Sequence, residues 1–141
     1  MVIDPKALIT EIKHIRSQGL EDSGLRVSAH AHVTMPYHLM LDEAEEASRG
    51  EAKIGTTKRG IGPTYADKCA RNGIRLEDLL DENVLKAKLD WLVPRKNVIL
   101  ERLYNLPPLN VQTILEEYAA YGKELFKYVV DTAATIFEAV Q

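Results

Sequence analysis

Lys53-Ile-Gly-Thr-Thr-Lys-Arg-Gly-Ile-Gly-Pro-Thr-Tyr-Ala-Asp-Lys68, with Arg71 and Arg75 close behind, is the stretch around which the chain is organised. Gly55, Gly60 and Gly62 let the backbone turn and expose its N–H groups. Thr56 and Thr57 add hydroxyl donors, and Lys58, Arg59, Lys68, Arg71 and Arg75 add positive charge. Such a set suits an anion, most simply a phosphate. A glycine-rich surface turn remains the ordinary alternative on composition alone. The stretch is not a nucleotide P-loop. Gly50 and Gly55 have the required spacing, but Thr56 stands where that motif needs its phosphate-reaching lysine.

Outward from this loop the chain reads as a helical support. Toward the N-terminus, Asp4-Pro5 starts a helix with Leu8, Ile12 and Ile15 on one face, ended by Gly19. Leu25 to Val33 alternates apolar and polar residues and predicts one short lead-in strand. Pro36 opens a second helix. Leu39, Met40, Ala44 and Ala47 should face inward, with Asp42, Glu43, Glu45 and Glu46 as a solvated outer face.

Toward the C-terminus, a short helix over Tyr65–Ala70 should close at Asn72-Gly73. Asp81 to Asn105 is helical, with a break or kink expected at Pro94. Leu106-Pro-Pro-Leu109 forces an extended link. A last helix from about Val111 to Val140 carries the seam Ile114, Tyr118, Tyr121, Leu125, Tyr128, Thr132 and Ile136. Residues 1–50 form a helix–strand–helix lead-in, and residues 51–141 form the loop and its helical subdomain as one compact unit.

Composition excludes several classes. Of 141 residues, 45% are hydrophobic and 28% charged, as in a globular domain. A net charge of −3, with no aromatic interleaving among the cations, argues against nucleic acid. Cys69 alone builds no disulfide framework, and it reads as a buried structural thiol. No apolar run reaches the ~20 residues of a membrane helix. No signal-peptide pattern opens the sequence, so a cytoplasmic location is expected. His30, His32 and His38 lack a convincing partner to complete a metal shell, so no metal site is assigned.

Ile54-Gly-Thr-Thr-Lys-Arg-Gly-Ile-Gly-Pro63, then Tyr65, Asp67-Lys68, Ala70-Arg71, Gly73-Ile-Arg75 and Asp78-Leu79, resembles the central signature of adenylosuccinate synthetase. Pro36-Tyr-His38, Asp42, Glu43 to Arg49 and Gly50 resemble the segment before that signature. The resemblance is densest from Pro36 to Leu79. It implies a mainly α subdomain excised from a larger P-loop-like α/β enzyme. That enzyme is a ligase of purine-nucleotide biosynthesis. It joins aspartate to inosine monophosphate (IMP) with GTP and magnesium, and acts as a homodimer.

The resemblance further implies that Thr57 holds the 5′-phosphate of IMP. Arg71 would reach the phosphate bound by the partner subunit, and Arg59 would lie near the site and the dimer contact. Lys58 departs from the family's usual glycine; it adds charge or strains a turn that prefers positive φ. The family's phosphate loop and catalytic aspartate and histidine have no counterpart in these residues. No catalytic residue is therefore assigned, and the chain alone is expected to be inactive, to bind neither GTP nor magnesium, and to self-associate. The competing expectation is a non-catalytic helical interaction module that keeps the family's surface.

Overall fold

The structure is a computed structural model that describes residues 1–52 and 54–140; Lys53, the first residue of the stretch quoted above, and Gln141 lie outside the described residues. The architecture is mainly α, as the periodicity predicts. The helices are α1 (Pro5–Ser17), α2 (Pro36–Ser48), α3 (Ile61–Cys69), α4 (Glu82–Tyr104), α5 (Val111–Leu125) and α6 (Thr132–Val140). Two-residue strands β1 (Val2–Ile3), β2 (Val27–Ser28), β3 (His32–Val33) and β4 (Val129–Val130) form the parallel pairs β1–β3 and β2–β4.

The predicted strand over Leu25–Val33 is thus divided. A turn at Ala29–His30 splits it, and its halves pair with opposite ends of the chain. Alternation within the segment could not reveal that its partners differ. A further strip, Ile74–Glu77, runs antiparallel beside it. Val33 donates to the Ile74 carbonyl at 2.8 Å and Leu76 to the Ala31 carbonyl at 2.9 Å. This pairing brings Arg75 opposite His32.

The predicted last helix also divides. It stops at Leu125 and passes through a 3-10 turn, Phe126–Tyr128, before β4. Val129 and Val130 are β-branched, and pairing with Val27 and Ser28 satisfies their backbone. Asp131 then caps α6, accepting from the Ala133 and Ala134 N–H groups at 3.0 and 3.2 Å. The seam holds only in its first part: Ile114, Tyr118, Leu125 and Tyr128 are buried, whereas Ile136 is exposed.

No break occurs at Pro94. The helix continues through it, with Pro94 on an exposed face. Water can serve the carbonyl that Pro94 leaves without its N–H partner, which lowers the usual cost. Asp81 caps the N-terminus of α4, and Asn105 ends it at φ +54°. Asn97 brackets the Pro107–Pro108 link by donating to the Leu109 carbonyl and accepting from its N–H, both at 2.8 Å.

A single apolar core draws on α1, α2, α4, α5 and the 3-10 turn Leu76–Leu80, with Leu76, Leu85, Leu89, Leu100 and Leu125 fully buried. Burying each such side chain contributes roughly 2 kcal/mol. Gly122 permits the close seat of α5 on that turn, because a Cβ there would lie 2.7 Å from the Leu79 carbonyl carbon and nearer still to its oxygen. No helix among the described residues is long and apolar enough to cross a membrane.

Candidate functional site

The glycine-rich loop is held from beneath by α2. Asp42 and Glu46, one turn apart, both face it. Glu46 accepts from the Gly55 N–H at 2.6 Å and the Ile54 N–H at 3.3 Å, and Asp42 accepts from the Gly60 N–H at 2.9 Å. The solvated outer face expected of α2 is therefore corrected at these two positions: Glu46 is buried and Asp42 half-buried, while Ala47, expected inward, is exposed. Loop N–H groups needed an acceptor, and the helix supplies carboxylates. Hydrogen bonds from Gly55, opposed by partial desolvation and joined by those from Ile54 and Thr56, hold the Glu46 carboxyl below its usual range.

Gly60 begins α3 at φ +69°, and a Cβ there would lie 2.9 Å from the His38 carbonyl carbon. This start, earlier than the predicted Tyr65, places Pro63 in the first turn, where its missing N–H costs little. Lys58 lies in the left-handed region at φ +54°, the strained turn expected where a glycine would be easier. Its Nζ reaches Glu43 at 3.0 Å. Thr57 and Arg59 are exposed.

Beneath the loop runs a buried polar network. The Met35 N–H donates to His38 Nδ1 at 3.0 Å, so the ring proton sits on Nε2 and is donated to Asp67 at 2.8 Å. Lys96 donates to the other Asp67 oxygen at 2.6 Å. Beside His38, the Thr64 hydroxyl donates to the Gly60 carbonyl at 2.7 Å and ties α3 to the end of the loop. Burial opposes the His38 imidazolium more strongly than Asp67 favours it, and the ring's pKa falls. Burial alone would raise Asp67, but hydrogen bonds from His38 and Lys96 bring it below its ordinary value.

A second feature lies at the far end of α3. Lys68, Arg71, Arg75 and Lys88 line one cleft of about 500 Å³ with His32, Gly73 and Glu77. Lys68 and Arg71 share this surface, and Arg75 joins them through its pairing with His32. Gly73 is required here, since a Cβ would overlap the His32 ring. Burial, then the Arg75 and Lys68 charges, push the His32 pKa down. Arg75 meets Glu77 at 3.3 Å and Lys88 meets Asp78 at 2.5 Å. Among the described residues, neither Lys68 nor Arg71 has a carboxylate within ion-pair distance.

Arg71 ends α3 in a Schellman turn at φ +62°. Its N–H donates to the Lys68 carbonyl at 3.1 Å, and that of Asn72 donates to the Asp67 carbonyl at 2.8 Å. Glycine is the usual residue at this point, so an arginine is kept there at a cost of about 1 kcal/mol. The cleft can hold an anion by charge and by the two-pronged guanidinium grip. Thr57 is not among its lining residues; Arg59 lines a neighbouring hollow with His32, Lys68 and Arg75.

The three histidines do not converge. His30 is exposed, His32 faces the cationic cleft and His38 is locked to Asp67. Cys69, expected to be buried, is exposed at the end of α3. Its position in the last turn points it away from the core that Thr64 and Asp67 face.

The family model for adenylosuccinate synthetase matches residues 1–141. The chain belongs to the adenylosuccinate synthetase family. It is 52% identical over 140 residues to adenylosuccinate synthetase of Gloeobacter violaceus, covering 99% of this chain and 32% of that protein. It is 53% identical over 140 residues to that of Prochlorococcus marinus, with coverage of 99% and 32%. The solved structure of fully ligated adenylosuccinate synthetase from Plasmodium falciparum superimposes with a TM-score of 0.82 at 29% identity, over 99% of this chain and 32% of that one. The chain thus spans about a third of the length of these relatives.

Sequence reasoning missed Asp42, Glu46, Lys88 and the His38–Asp67–Lys96 network. Asp42 and Glu46 did carry a signal: two carboxylates four apart on a helix that leads into a loop rich in N–H donors. Lys88 and Lys96 carried none, because long-range packing places them.

Proposed function

We propose that this chain is part of a ligase of purine-nucleotide biosynthesis that joins aspartate to IMP with GTP hydrolysis, and that it supplies one wall of the IMP phosphate site. Family membership supports the reaction class. The observation that carries the site is Arg71, an arginine held at φ +62° where glycine would be easier, on a cleft lined by Lys68, Arg75 and Lys88. In this reading Thr57 donates its hydroxyl to the 5′-phosphate of one subunit. Arg71 reaches the phosphate held by the other subunit of a homodimer, and Lys58 and Arg59 add charge beside it. The full enzyme works in the cytoplasm.

Magnesium and GTP enter as properties of the complete enzyme. Among the described residues no group of three or more His, Cys, Asp or Glu is placed to hold a metal ion, and no step is assigned through one. The 141-residue chain alone forms no adenylosuccinate; GTP-dependent product from the purified chain would contradict this.

IMP titration, followed at the backbone amides of Gly55 to Arg59, tests the site. Thr57→Ala should weaken the response about tenfold, the scale of a hydrogen bond to a charged group. Arg71→Ala should weaken it only at concentrations where the chain is dimeric. Unmoved amides at millimolar IMP would overturn the reading.

The apolar residues Ile136, Phe137 and Val140 of α6 are exposed, which supports self-association and keeps a helical interaction module as the second reading. Light scattering that shows a strict monomer at high concentration would oppose both.

A further inference from the structure

The loop was expected to cradle an external anion with its backbone N–H groups. Those of Ile54 and Gly55 are already taken, by the Glu46 carboxylate. The cradle is filled from within. At the other end of the loop, Gly60 is fixed twice: Asp42 accepts from its N–H at 2.9 Å, and Thr64 donates to its carbonyl at 2.7 Å. Between these anchors stand Thr56, Thr57, Lys58 and Arg59. They form an arch whose ends are tied to α2, itself seated in the core by Tyr37 and His38. The Lys58–Glu43 pair is exposed and adds little.

We infer that Glu46 and Asp42 are positioning residues that hold the arch 55–60 in its binding-ready shape and direct an incoming phosphate to the Thr57 side. This rests on the phosphate-site reading above. Two physical arguments support it. The N–H groups at 54 and 55 cannot serve an external anion while they serve Glu46. A phosphate is also disfavoured on the α2 side of the loop, where the carboxylates of Asp42, Glu45, Glu46 and Asp67 outnumber the cations Arg49 and Lys96. What remains for the ligand is the outer face of the arch, where Thr57 and the cations are exposed. A pinned arch also loses less conformational freedom when the ligand binds.

The test uses the 141-residue chain, its Glu46→Gln and Asp42→Asn variants, and IMP. Glutamine keeps the size and one acceptor of Glu46 but removes the charge. In Glu46→Gln the Gly55 amide should exchange about tenfold faster, the scale of a lost charge-assisted hydrogen bond. Its proton resonance should move upfield, while amides of Leu89 and Leu100 keep their protection. Asp42→Asn should have the same effect at Gly60. IMP should bind each variant about three- to tenfold more weakly, on the same scale of hydrogen-bond loss. Equal or tighter IMP binding by Glu46→Gln would make the carboxylate a competitor and overturn the inference, as would unchanged exchange in both variants. If the unaltered chain shows no response to IMP, the phosphate-site reading falls, and the exchange rates still decide whether the carboxylates anchor the arch.

Discussion

Replacement of Asp67 by alanine probes the network that joins α2, α3 and α4. Asp67 accepts from His38 Nε2 at 2.8 Å and from Lys96 Nζ at 2.6 Å, and the three side chains are 7%, 1% and 14% exposed. Alanine leaves an ammonium almost out of water without its counter-charge, and a buried imidazole N–H without an acceptor. Breaking a buried pair from one side costs about 3–5 kcal/mol. In a domain of this size that lowers Tm by about 10 °C or more. Lys96 also lies 5.6 Å from the Tyr37 ring centroid, a contact too weak to replace the carboxylate. Urea and thermal unfolding of Asp67→Ala, Lys96→Met and the double variant measure the effect. The double variant should lose much less than the sum of the single ones, because each single variant strands the other's partner. A loss below about 1 kcal/mol for Asp67→Ala, or simple additivity, would refute the reasoning.

Arg71→Gly should raise stability by about 0.5–1 kcal/mol by relieving φ +62°, while weakening IMP binding by the dimer; a stability loss in chemical unfolding would count against the strain. Gly122→Ala gains about 1 kcal/mol of helix propensity but forces a Cβ to 3.1 Å from Leu79 Cβ and nearer still to its carbonyl, so a net loss of about 1–3 kcal/mol is expected in urea unfolding. Acid should destabilise the fold in two stages. The folded-state pKa of His38 lies below 6.5, so its contribution is complete above that pH and declines as pH falls toward the lowered value. That of Asp67 lies below 3.8, so its contribution persists above that pH and is lost as pH falls through the lowered value. A rise in stability from pH 7 to pH 5 would contradict this.

Helices were legible in the sequence wherever a local signal marked both ends, as at Asp4-Pro5 and Gly19. The divided strand and the divided last helix were not. Val27 and Val129 are partners across most of the chain, and no local pattern announces such a pairing. The break expected at Pro94 does not occur, because a proline's effect depends on which side of the helix faces water. At the site, charge and glycine content singled out the loop and the cations behind it. That Arg75 joins Lys68 and Arg71 at one cleft was not legible, because it depends on pairing with His32. Glu46 was misassigned for a related reason: helix periodicity locates a side chain on a face but not what packs over it. A count of loop donors in search of an acceptor would have singled it out.

The phosphate site is tested most directly by comparing IMP with inosine, which differ only in the phosphate. Both are titrated into the 141-residue chain while the amides of Gly55 to Arg59 and of Arg71 are observed. IMP should move these signals in a saturable way, and inosine at the same concentration should leave them in place. Equal responses to both ligands, or no response to either, would contradict the assignment of Thr57 and Arg71 to a phosphate.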